Sequence, residues 1–288
     1  MKGGGVMDIE RIASDNRLDE NGRAQLLGYI RNRFEGCAEQ SVWDTGFLEK
    51  WEKIIRYADE NGAAGAINKL VCPQRPVEFN SPDSLEIQMF DSFAGKLPVI
   101  YVRDTADFEQ LVTNAAYKGV RPDNISQTGA SFISGKTTRF AILSAKPYSN
   151  VPAEDLGLGY EEWAEKSISL RRGHECTHYF TKQVFGITDN NVHDELIADF
   201  IGLHEAFGFY RAEWFLRFMG ITGNSGGRLI FYTKDLMPNV REAVSDLLTT
   251  AAYRLEEWSG TKGFRALSEA ERIKLLCRKG LLRLTDAI

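Results

Sequence analysis

The sequence predicts a largely helical α+β fold with a small mixed sheet, and three observations lead to it. Apolar residues recur at three- and four-residue intervals, as in Leu27, Ile30 and Phe34 and again in Phe47, Trp51, Ile54 and Ile55, which is helical periodicity. Short extended apolar runs are confined to the middle, between residues 85 and 150. All four histidines, His174, His178, His193 and His204, crowd into two adjoining helical patterns, so the chemistry is expected on helices.

The elements follow in chain order. Residues 8–70 read as helical, and Gly62, Gly65, Pro73 and Pro76 punctuate their end. A link near residues 72–84 then divides a helical N-terminal region, residues 1–72, from a second domain over residues 85–288. That domain opens with a small sheet in residues 85–150: a strand over 97–102, a helix over 105–117, and strands at 132–133 and 139–143 joined across Ser134, Gly135 and Lys136. The 139–143 strand is either a sheet edge able to receive an extended peptide or a buried core strand.

A loop over residues 150–159 precedes one long helix, residues 160–185, with Glu161 and Glu162 near its positive end and Gly186 as its stop. After a polar link at residues 187–191, a second helix runs from 192 to 207, with Asn191 as N-cap and Gly208 as terminator. Two helices joined this tightly are expected to pack antiparallel, a hairpin spanning residues 160–208. Residues 209–288 complete the domain with helices over 239–258 and 268–283.

Composition bounds the function. With 288 residues, 43% hydrophobic and 26% charged, the chain resembles an ordinary globular protein with a sizeable core. A net charge of -5 without a basic stripe argues against nucleic acid as a partner. No run of eighteen apolar residues suggests a membrane span. The first residues lack the apolar core of an export signal, and Cys37, Cys72, Cys176 and Cys277 are too scattered for a disulfide framework, so the expected location is cytoplasmic.

The chemistry concentrates in His174-Glu175-Cys176-Thr177-His178. Residues four apart on a helix share a face, so the two imidazoles can grip one ion, and a catalytic zinc needs one further protein ligand and an open position. Glu175, about 100° round the helix from His174, can reach a water without ligating the metal. Cys176, about 200° round, should face the core, and Arg171 and Arg172 read as a solvated helix face.

His193, Asp194 and Glu195 occupy successive faces of the second helix, so one of them at most points at the ion. Glu195 is favoured. Asp199, one turn on, would then arrive beside a histidine, His174 for choice, and accept its other N–H. Nothing comparable follows His193 or Asp194 at that spacing.

The pattern His174-Glu175-x-x-His178 with Glu195-x-x-x-Asp199 resembles the gluzincin group of zinc metallopeptidases, typified by thermolysin. The metzincin pattern is absent, since Thr181 and Val184 stand where that group has glycine and its third histidine. The resemblance implies a zincin-like fold with Zn2+ held by His174, His178 and Glu195, Glu175 activating water, and Asp199 supporting a histidine. It also implies a peptide or protein substrate and an oxyanion donor that is Tyr, His or Arg, for which Tyr232, Tyr210 and His204 are the candidates. The alternative is a non-catalytic binding or regulatory protein in which the metal only ties two helices together.

Overall fold

A computed structural model describes residues 9–41, 44–135, 138–187, 191–223, 227–286 and 288. Part of the turn expected at Ser134-Gly135-Lys136, part of the link at 187–191 and the start of the chain lie outside the described residues. The fold is mostly helical α+β with a small mixed sheet. In chain order come α1 (Ile9–Asp15), α2 (Glu20–Tyr29), α3 (Leu48–Asn61), α4 (Ala63–Ala66), β1 (Leu85–Ser92), β2 (Gly95–Val102), α5 (Thr105–Ala115), β3 (Ala130–Ser134) and β4 (Arg139–Ser144). After them stand α6 (Tyr160–Phe185), α7 (Val192–Phe207), α8 (Ala212–Met219), α9 (Leu229–Thr233), α10 (Pro238–Ser259), α11 (Lys262–Ala266) and α12 (Glu269–Arg283). None of these helices is long and apolar enough to cross a membrane.

The chain divides into two compact units: a sheet unit, Ser41–Tyr179, and a helical unit, Met1–Gln40 with Phe180–Ile288. The segment read as one N-terminal helical region contributes to both. In the helical unit α1 and α2 pack on α10, whereas α3 and α4 pack on β1 in the sheet unit. Residues 30–41 are turns and extended chain rather than the expected helix, and Leu27 is exposed although its spacing marks it as core.

In the sheet unit the strand order is β1-β2-β4-β3. β2 pairs antiparallel with β1 and parallel with β4, and β4 pairs antiparallel with β3. β2 and β4 are nearly continuous apolar runs because they lie inside the sheet, while β1 alternates buried and exposed residues at its start. β1 was not expected from the sequence, although Leu85, Ile87 and Met89 alternate with Glu86 and Gln88. The 139–143 strand is the interior one; β1 and β3 are the edges, so no peptide can add to β4. The core beneath it gathers Trp51, Ile54, Phe108, Leu111, Phe140 and Ile142, with the Trp51 and Phe140 rings 4.8 Å apart.

The helical unit is organised on α10, which contacts α1, α2, α7, α8, α11 and α12. Asn191 caps α7 as expected, its side chain accepting from the N–H groups of His193 and Asp194, and Gly208 ends the helix in the left-handed conformation, φ 76°. Ser268 opens α12 with a reciprocal capping box to Glu271.

Candidate metal centre

The pentad lies inside α6, where 3.6-residue periodicity stacks His174 one turn below His178. His174 is 7% exposed and His178 half-buried, and their Nε2 atoms face each other at 3.0 Å. Glu175 is half-buried, and Cys176 is wholly buried, turned to the core as its position on the helix requires.

What fixes His174 was not read from the sequence. Tyr148 Oη sits 2.9 Å from His174 Nδ1. With Nε2 left to a cation, Nδ1–H donates to that oxygen and the tautomer is set. Tyr148 is delivered by a turn in which Ser149 and Asn150 are both left-handed, φ 53° and 56°, and its own N–H donates to Ser167 Oγ at 3.0 Å.

Arg171 secures the same segment, contrary to the expectation of a solvated face. It is 4% exposed and donates to the carbonyls of Ser144 (2.9 Å), Lys146 (2.5 Å) and Pro147 (3.1 Å). Gly129 admits it, since a Cβ there would stand 2.4 Å from its guanidinium. Arg172 is not solvated either, with its guanidinium 4.3 Å from the centroid of Phe90 and a hydrogen bond to Tyr101 Oη.

On α7, Glu195 and Asp199 are 3% and 0% exposed. Arg228, just before α9, donates through Nη1 to Glu195 Oε2 at 3.1 Å and through Nη2 to Asp199 Oδ2. Burial drives the Tyr232 hydroxyl pKa far above the usual phenol range, with the Glu195 carboxylate adding to the effect. Tyr29, whose hydroxyl donates to Tyr232 O at 3.2 Å, is pushed up to about 12 by burial, with the Glu195 charge adding to it. Arg228 was missed because a lone arginine after a glycine pair carries no local pattern.

The other contenders have different surroundings. His193 is buried, 6% exposed, which holds its pKa down to about 4, and its Nε2–H donates to Leu276 O at 3.2 Å. Tyr210 is 2% exposed against Phe200 and above His204, and burial raises its hydroxyl well above the usual phenol range. His204 is held below the ordinary imidazole value by burial and directs Nδ1 at Phe200 O, 2.9 Å away. Of the three oxyanion candidates, Tyr232 is the one whose hydroxyl feels the Glu195 charge.

His174 and His178 bring their Nε2 atoms together on one face of α6, and Glu195 is a buried carboxylate of α7. Two imidazole nitrogens and one carboxylate oxygen are a donor set that suits zinc and several other divalent ions. The hydrogen bond at His174 Nδ1 and the facing Nε2 atoms fit such an ion.

A family model described as "Family of unknown function (DUF7005)" matches residues 63–139 and 136–287. No curated protein and no solved structure matches the chain.

Proposed function

The chain belongs to the family of unknown function DUF7005, and we propose that it is a zinc-dependent hydrolase, a metallopeptidase of the gluzincin kind with a zincin-like fold. The observation that carries the reading is the pair of His174 and His178 Nε2 atoms facing each other at 3.0 Å on α6, with Glu195 proposed as the third ligand. When bound there, zinc supplies a Lewis acid that polarises a carbonyl and lowers the pKa of water toward about 7.

The chain's own residues do the rest. Glu175, beside the histidines and half-buried, takes the proton of the attacking water and passes it to the leaving amine. Tyr148 holds His174 in the tautomer that frees Nε2. Tyr232, half-buried, is the donor toward the developing oxyanion. Asp199 is engaged by Arg228, a departure from the resemblance, in which the aspartate serves a histidine. The substrate is a peptide or protein, and the expected place of action is the cytoplasm.

The test is Glu175→Gln, with zinc content and cleavage of a peptide library measured together. We expect stoichiometric zinc in both proteins and hydrolysis reduced about 10²–10⁴-fold in the variant. Undiminished turnover removes Glu175 from the mechanism. Zinc bound by the parent chain without any cleavage favours the binding protein, and no bound metal sinks the metal reading.

A further inference from the structure

Glu195 and Asp199 stand one turn apart on α7, so their carboxylates share a face, and both are almost completely buried. Negative charges so placed repel each other, and burial denies them water to offset it. One guanidinium spans them: Arg228 reaches Glu195 Oε2 with Nη1 and Asp199 Oδ2 with Nη2, its own side chain 18% exposed. A guanidinium stays charged at any pH a protein survives. That guanidinium offsets negative charge at both carboxylates and ties them to one face of α7.

We propose that Arg228 is an internal counter-ion, a positioning residue that stands in for the cation at Glu195 and holds the α7 carboxylates in place while the metal is away. The assignment rests on the metal reading above. It gives Arg228 opposite effects in the two states. In the metal-free protein it stabilises the buried pair, and toward an incoming dication it is a fixed repulsive charge. Metal would thus load onto a preformed site and release from it without the helix unfolding.

The prediction separates charge balance from packing. In full-length protein with EDTA, Arg228→Met takes this cation from two buried carboxylates and lowers Tm by on the order of 10 °C. Adding Asp199→Asn to that variant removes one of the two charges and should restore at least half of the loss, a coupling that a purely steric role would not produce. Zinc chloride, in place of EDTA, should raise the Tm of Arg228→Met more than that of the parent chain, because zinc replaces the missing charge.

A double variant no more stable than Arg228→Met, or equal zinc shifts in parent and Arg228→Met, overturns the counter-ion. Should Arg228→Met fail to fold in EDTA, recovery on refolding with zinc, or folding of the double variant in EDTA, supports the proposal; failure of both overturns it. Absence of a zinc shift in every protein sinks the metal reading and the stand-in role together, whereas a normal parent shift that the variant copies sinks Arg228 alone.

Discussion

The sheet unit and the helical unit bury their charges in opposite ways. In the sheet unit buried cations use backbone carbonyls: Arg171 donates to three, and Lys146, 8% exposed, combines Glu109 at 2.7 Å with the carbonyls of Ser126 and Thr128. In the helical unit two anions on one helix share one arginine, and a buried imidazole, His193, is kept neutral. The difference is one of dependence. Carbonyls hold their place because the backbone does, so the sheet unit's cations are fixed by shape, while the helical unit's carboxylates depend on the cation beside them.

The largest expected break in that contrast is Arg171→Met. It leaves the Ser144, Lys146 and Pro147 carbonyls without this donor and should cost roughly 3–5 kcal/mol, with the loss appearing as faster amide exchange along β4 and the segment leading to Tyr148. A cost under about 1 kcal/mol would mean that the clamp follows the fold rather than holding it.

Acid sharpens the contrast next. His193 is held at about 4 against an ordinary value of 6.5, so its neutral burial contributes stability that is complete above pH 6.5 and lost as pH falls through 4. That window is worth roughly 3 kcal/mol. Glu109 in the sheet unit is shifted below its ordinary 4.5, chiefly by the Lys146 hydrogen bond, so its contribution disappears only at lower pH. Acid titration with exchange detection should therefore loosen the helical unit first. His193→Gln should flatten the difference between pH 6.5 and 4, and an unaltered profile would remove His193 as its cause.

The smallest expected effect on stability is that of Tyr148→Phe. Losing one hydrogen bond costs about 1 kcal/mol, yet releasing the His174 tautomer should weaken zinc binding about 10–100-fold. Chelator competition measures the second quantity, and equal affinities in the two proteins would leave Tyr148 a packing residue.

Much of this was legible in the chain. The limits of α6 and α7, the Asn191 cap and the Gly208 stop follow from periodicity and end signals, which are local. The pentad is local as well, since four-residue spacing on a helix fixes the side of His174 and His178. Strand order was not legible: the pattern of residues 139–143 fits an edge or a centre equally, and only pairing with both β2 and β3 made it a centre. Arg171 misled because its polarity argues for solvent, whereas the carbonyls that accept it are 24 to 27 residues away.

The sequence by itself determined which helices bear the pentad histidines and the Glu195–Asp199 pair, because backbone hydrogen bonding and helical repeat act over a few residues. Tertiary structure alone decided what holds them: Tyr148 on His174 across 26 residues, and Arg228 on Glu195 and Asp199 across 33 and 29. Partners at such separations are chosen by the shape and charge of a folded interior, and no spacing along the chain encodes that choice.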